Sequence, residues 1–334
     1  IVTLVREKDW KSIIYLAEYV GPFAESEIKT RLDYLSARSG VLSVEETKAA
    51  YIRAWEGDHN EFYYRLLSAE ALGYPLESAE KAVPRRKPIV AIETPTFNID
   101  ELTLMLDGYI TWELEDSLYA AVQKWNTVLP PETARLYAKK LSEKGCFADA
   151  TRLVLSAVRP ANVSVTREDL EFLYPRPWLE EVGSSVTETV SESLLYALIR
   201  SESYYQSSVV SRSGAVGLTQ LMPSTAADIA RKLKVSNYDL TDPKTNIEFG
   251  AFYLNELIGR LNGNNMHALF SYNAGITRVR SWLRDSPVSE PDLFLEALPY
   301  AETREYGRKV LAAAAVYGYL YYQKSTGQAV RDLF

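Results

Sequence analysis

Residues 191–223 read SESLLYALIRSESYYQSSVVSRSGAVGLTQLMP. Leu194, Leu195, Leu198 and Ile199 recur at helical spacing and mark the buried stripe of a short amphipathic helix. Thr189 and Glu192, three apart, suit a capping box at its start. Carried one turn beyond Leu198, the stripe reaches Glu202. A carboxyl at the end of an apolar stripe is partly desolvated, which disfavours its charged form and raises its pKa, the state a general acid needs near neutral pH. The plainer reading is that Glu202 bends out to water at the rim, since buried carboxylates are rare. Beyond it come a Tyr/Ser loop, Gly214 and Gly217, then Thr219-Gln220 inside an apolar run ending at Met222-Pro223. Two glycines so close together allow a tight turn or a close backbone approach.

Four stretches in order, ALIRSES at 197–203, SRSGAVGLTQLMP at 211–223, SYNAG at 271–275 and ETREY at 302–306, resemble the successive signatures of soluble lytic transglycosylases. The resemblance covers residues 174–322. It implies a goose-lysozyme-like, mainly helical domain that cleaves peptidoglycan glycan strands, with Glu202 as the catalytic acid–base. It further implies a cleft lined by Ser211, Gln220, Met222, Tyr272, Asn273, Glu302 and Tyr306. Glu302 could also pair at the surface with Arg304 or Arg308, but the resemblance favours the cleft. Thr219 stands where many relatives carry methionine, a departure that bears on substrate preference rather than on the acid.

The 334 residues suffice for two domains or for a domain plus a helical solenoid. A hydrophobic share of 47% and a charged share of 24% are those of an ordinary globular protein. A net charge of −7 argues against sequence-independent nucleic-acid binding. The single cysteine, Cys146, excludes an intrachain disulfide and a multi-thiolate zinc site, and is read as a small buried apolar residue. His59 and His267 lie in no metal-ligand or triad pattern, so no metal, no cofactor and no Ser–His–Asp hydrolase is expected. The longest apolar run, within 310–322, is too short to span a bilayer and reads as a packed helix. The chain opens at Ile1 without a signal-peptide pattern and is read as a processed or trimmed product, so the compartment cannot be read directly; the resemblance implies an exported, periplasmic protein.

Four helical patterns run from Val5 to Gly73, with Ser43-x-x-Glu46 capping the third. Residues 74–95 carry four prolines and read as a long connection within the helical array or a break between two sub-arrays, with the basic run Arg85-Arg86-Lys87 a solvated loop. Helical patterns resume at 101–106, 113–125, 132–143 and 148–158. No strict repeat emerges, so the first half reads as an irregular α-solenoid or a plain helical bundle; the resemblance favours the solenoid. Tyr174-Pro175 and Pro177 break the pattern. The expectation is an all-α protein with a superhelical domain at 1–173 and a catalytic domain at 174–334, the second able to fold alone. Asp242-Pro243 opens a further helix in which Gly250 admits a close neighbour, Gly275 closes the next, and Trp282 reads as core.

Glycosidases ordinarily use two carboxyl groups. The motif stretches offer Glu202 and a remote Glu302, which leaves a lytic transglycosylase, a hydrolytic muramidase on the same scaffold, and a catalytically silent helical scaffold as competing readings. Protein partners are not legible in the sequence.

Overall fold

The computed structural model describes residues 1–57, 62–74, 98–125, 127–160 and 163–332. His59, the basic run at 85–87 and all of the proline-rich connection beyond Tyr74 lie outside them. Among the described residues the regular structure is helical, joined only by two isolated antiparallel bridges, Val210–Val216 and Val216–Leu221. The all-α expectation holds.

The first helices are α1 (Val2–Arg6), α2 (Trp10–Tyr19), α3 (Ser26–Arg38), α4 (Val44–Glu56) and α5 (Phe62–Leu72). Asp9 caps α2 by accepting from the Ser12 amide, and Ser43 with Glu46 forms the expected capping box of α4. Next come α6 (Ile99–Thr111), α7 (Glu115–Lys124), α8 (Pro131–Glu143), α9 (Phe147–Val158) and α10 (Arg167–Leu173). Thr166 and Asp169 form a capping box on α10, and the same buried Asp169 carboxylate takes both a 2.8 Å and a 2.9 Å bond from Arg135 of α8. One side chain thus starts a helix and ties it to its neighbour. Cys146, expected to be buried, is half-buried at the start of α9, its thiol 3.5 Å from Asp116 and its pKa pushed up to about 11 by burial. An N-cap position sits at a helix end, where packing covers less of the side chain.

The remaining helices are α11 (Leu179–Ser185), α12 (Glu192–Ser203), α13 (Pro223–Leu233), α14 (Pro243–Arg260), α15 (Asn265–Ala274), α16 (Ile276–Asp285), α17 (Pro291–Ala297), α18 (Ala301–Tyr322) and α19 (Thr326–Arg331). The cap of α12 is Ser191, not Thr189; Glu192 instead accepts a hydrogen bond from the Tyr322 hydroxyl. The run at 310–322 is packed helix, as expected, with Leu311, Ala315, Val316 and Tyr317 buried on α18. Trp282 is half-buried, its ring 5.3 Å from that of Tyr300.

Packing groups these helices otherwise than the expected 1–173 and 174–334. One compact unit comprises residues 1–77 and 178–334, the other residues 78–177. In the first unit, α5 packs on α18 and α19, and α1 on α17. Buried ion pairs also join these helices. Glu296 of α17 is fully buried and is held by Arg31 of α3, by Arg308 of α18 at 3.1 Å and by the Tyr64 hydroxyl of α5 at 2.7 Å. Together they hold its carboxyl below its ordinary pKa despite burial, Arg31 and Arg308 contributing most. Nearby, Asp292 takes a bidentate pair of bonds from Arg38, at 2.6 and 3.0 Å, and one from Tyr34 at 2.6 Å. Stripping one partner from a buried ion pair costs about 3–5 kcal/mol. A fragment beginning at residue 178 leaves Glu296 without Arg31 and Tyr64, and Asp292 without Arg38 and Tyr34. It should therefore melt without cooperativity or aggregate when followed by circular dichroism. A cooperative melt close to that of the whole chain would show α1–α5 to be dispensable.

Candidate active site

The apolar stripe of α12 is realised: Leu194, Leu195, Leu198 and Ile199 are all buried. Glu202 continues that stripe at the last turn and is itself largely covered. Burial pushes its pKa up to about 7, opposed by a hydrogen bond from the Tyr306 hydroxyl of α18 at 2.7 Å. Among the described residues no other carboxylate acts on it. The helix ends on two successive left-handed residues, Tyr204 (φ 52°) and Tyr205 (φ 66°). Non-glycine residues hold this conformation only when their surroundings fix it. Tyr205 is fixed by burial and by a 2.6 Å contact between its hydroxyl and that of Tyr317.

The loop after α12 is folded on itself. The Ser211 hydroxyl accepts from the Ala215 amide at 3.0 Å and lies 3.1 Å from the Ser213 hydroxyl. Gly214 and Gly217 both take positive φ, and a side chain at Gly217 would collide with the Asn246 amide and the Leu240 carbonyl. Gln220 is left-handed at φ 49°, and its side-chain nitrogen donates to the carbonyls of Val209 (3.2 Å) and Gly217 (2.9 Å). The loop thus holds that amide by its nitrogen. Met222, 40% exposed, is the N-cap residue of α13.

Tyr272 of α15 donates to the Thr219 carbonyl at 2.8 Å and packs its ring 5.2 Å from Tyr253, against the cluster of Leu221, Ile229 and Phe249. Burial first, then the nearby Glu202 charge, raise its pKa well above the usual phenol value. Next to it, Asn273 accepts from the Thr303 hydroxyl of α18 at 2.8 Å. Gly275 closes α15 at φ 88°, as its sequence position suggests.

Of the residues expected in the cleft, Glu202, Tyr306 and Tyr272 are brought together, and Asn273 adjoins them through Thr303. Glu302 is exposed in the first turn of α18, on the same face as Tyr306 four residues on, with no hydrogen bond or ion pair among the described residues. It pairs with neither Arg304 nor Arg308. Ser211 and Met222 are not hydrogen-bonded to Glu202. His267 is neutral, its pKa lowered to about 4 by burial against Phe294.

Sequence reasoning missed the partner of Thr219. That side chain is fully buried and turned toward Asn246 of α14, and Gly250 makes room for it rather than for another helix. The methionine-to-threonine departure therefore faces α14. The signal was present: Asn246 lies four residues before Gly250 and eight before Leu254 on the buried stripe of α14, where a polar residue needs partners.

Residues 183–294 match the family model described as Transglycosylase SLT domain. The soluble lytic murein transglycosylase of Salmonella typhimurium is 37% identical over 140 residues, covering 40% of this chain and 22% of that protein. The Escherichia coli K12 protein of the same name is 37% identical over 142 residues, 41% of this chain and 22% of its own length. A putative soluble lytic murein transglycosylase of Haemophilus influenzae is 32% identical over 199 residues, 58% of this chain and 32% of that protein. These matches thus span a third or less of each relative's length. Among solved structures, an inactive mutant of lytic transglycosylase Slt from Pseudomonas aeruginosa superposes with a TM-score of 0.73 at 23% identity, over 95% of this chain and 50% of that one. The 70 kDa soluble lytic transglycosylase of Escherichia coli gives a TM-score of 0.70 at 20% identity, over 98% and 53%. At such identities the superpositions establish the fold alone. The resemblance drawn from the four motifs holds: this chain is similar to the soluble lytic transglycosylases, most directly across 183–294.

The raised pKa has a sign that stability can report. Between the ordinary carboxyl value of 4.5 and about 7, the folded chain keeps a proton on Glu202 that the unfolded chain has lost. Its contribution to stability therefore falls as pH rises through that window. The stability of Glu202→Gln relative to the parent should rise by about 1–3 kcal/mol from pH 4 to pH 8, after allowance for the group's partial exposure. Denaturant melts at the two pH values measure it, and an unchanged difference would mean that the carboxylate is hydrated.

Proposed function

We propose that this chain cleaves the β-1,4 bond between N-acetylmuramic acid and N-acetylglucosamine in peptidoglycan without water, leaving a 1,6-anhydro end. The observation that carries the reading is the largely covered Glu202 carboxyl, its pKa pushed up to about 7 by burial and its position held by Tyr306, with no second carboxylate acting on it among the described residues. Such a group is protonated in a useful fraction at neutral pH and can give its proton to the glycosidic oxygen as the bond breaks. Having done so, it becomes the base. With no second carboxylate beside it among the described residues to activate water, it takes the proton of the muramic acid C6 hydroxyl, and that oxygen closes on the anomeric carbon. The attack is intramolecular and has the advantage of a tethered nucleophile. Tyr306 keeps the carboxyl oriented in both steps. Tyr272 borders the acid, Asn273 has its amide nitrogen unengaged among the described residues, and Gln220 keeps its amide oxygen for an N-acetyl group. Ser211, Met222 and the exposed Glu302 extend the sugar subsites.

In this reading residues 174–334 carry the chemistry and the helices of 1–173 guide the strand, α1–α5 also bracing the catalytic part. The substrate implies export to the periplasm. No helix among the described residues is long and apolar enough to cross a membrane. The proposal names no cofactor, nucleic acid or protein partner. The names of the matched relatives support the same substrate.

Purified peptidoglycan incubated with the protein should yield anhydro-muropeptides, one water lighter than reducing-end products, by mass spectrometry. Glu202→Gln should lower turnover by about 10²–10⁴-fold or more while leaving the fold intact. A digest made only of reducing ends would favour the hydrolytic muramidase. No turnover by the parent would favour the silent scaffold.

A further inference from the structure

The geometry points to Asn246, which takes no part in the chemistry above, as a positioning residue of the candidate active site: its amide holds the turn at 216–219 and, through the Thr219 carbonyl, the phenol of Tyr272. The inference rests on the reading of Glu202 as the acid.

Asn246 is fully buried in the first turn of α14. Its side-chain oxygen accepts from the Thr219 amide and from the Thr219 hydroxyl, each at 2.7 Å. Its side-chain nitrogen donates to the carbonyls of Val216 at 3.0 Å and Leu240 at 2.8 Å. Two acceptor positions and two donors are the full capacity of an asparagine, and all are filled. The single Thr219 hydroxyl proton is shared between that side-chain oxygen and the Asn246 backbone carbonyl, 3.1 Å away.

Two glycines make room for this clasp, although the positive φ of Gly217 and its approach to the Leu240 carbonyl also call for glycine. A Cβ on Gly217 would strike the Asn246 amide, and a Cβ on Gly250 would strike the Thr219 side chain. Core packing alone would be served as well by an apolar side chain of similar volume. An amide bonded in four directions fixes instead one register of one loop.

That register reaches the acid. Thr219 is bound on both sides of its backbone: its N–H goes to Asn246, and its carbonyl receives the Tyr272 hydroxyl at 2.8 Å. Tyr272 is near enough to Glu202 to feel its charge. Gln220 and Met222, the loop's two candidate subsite residues, follow directly after Thr219. The titratable groups facing the Glu202 carboxyl among the described residues are phenols, Tyr306 from α18 and Tyr272 from α15. The lever available to the loop is therefore hydration rather than a neighbouring charge. When the clasp opens, Tyr272 loses its acceptor and water gains access to the carboxyl.

The test uses the whole chain with 13C-labelled glutamate, titrating the Glu202 carboxyl by NMR and measuring kcat and KM on peptidoglycan strands from pH 4 to 9. In Asn246→Leu the Glu202 titration and the alkaline limb of the kcat profile should both move down by about one pH unit. The same variant should lose about tenfold in kcat with KM within about threefold, because alignment is lost rather than strand binding. Thr219→Val, which removes only the hydroxyl's bonds, should shift both in the same direction by a smaller amount. Folded variants whose titration and profile match the parent would overturn the proposal, even with a lowered melting temperature. If Asn246→Leu does not fold, Thr219→Val decides alone: a downward shift supports the clasp, and none overturns it. If the parent cleaves no peptidoglycan, the functional reading falls, and the titration still decides the positioning role.

Discussion

In the proposed function the Glu202 carboxyl must donate a proton at neutral pH, which requires that it be kept from water without being sealed from its substrate, and the cover it has comes from the pairing of α12 with α18. The stacked rings of Tyr196 and Tyr317 lie 5.3 Å apart, the Tyr205 and Tyr317 hydroxyls meet at 2.6 Å, and Tyr322 bonds back to Glu192 at the start of α12. Against α15, Gly307 of the same helix lies so close to Phe270 that a methyl group there would collide. With the two helices fastened along this length, Tyr306 meets Glu202 in a fixed place. The single hydrogen bond lowers the carboxyl's pKa, while burial raises it further.

Fastening two helices is insufficient unless α18 is also held from behind. That support comes from the start of the chain, through Arg31 and Tyr64 on Glu296 and through Arg308 on the same carboxylate. A hydrophobic contact of equal area could supply comparable stability, since buried ion pairs are expensive to desolvate. What it could not supply is direction: a carboxylate fully shut from water, gripped from three helices, tolerates few alternative placements of any of them. The early helices are thus integral to the body that holds the acid.

The sequence disclosed the parts of this arrangement that follow from periodicity and capping. The stripe Leu194–Ile199 continued to Glu202 because both obey one helical spacing, and Gly275 ended α15 because a left-handed terminus favours glycine. Short helix α10 escaped notice although its Thr166–Asp169 box was in plain view, since seven residues are too few for a convincing period. Long-range pairing was illegible for a different reason. Nothing local in Glu296, Arg31 or Tyr64 announces that they share one buried site, so the prolines at 175 and 177 suggested a boundary that the charges bridge. The same holds for Asn246 and Thr219, 27 residues apart. The desolvated carboxyl of Glu202 was legible from its stripe; the bond from Tyr306, 104 residues away, was legible only as a resemblance of motifs.

Helix α18 presents three consecutive commitments within six residues: Thr303 to Asn273, Tyr306 to Glu202, and Arg308 to Glu296 and Tyr64. Each lies at a different angle around one axis, and each residue added or removed turns everything beyond it by about 100°. The helix therefore works as an angular ruler. Side-chain exchanges along it can be absorbed one at a time, but a change of length by one residue between 303 and 308 throws at least one of the three out of phase with the others. For that stretch, phase is under tighter constraint than composition.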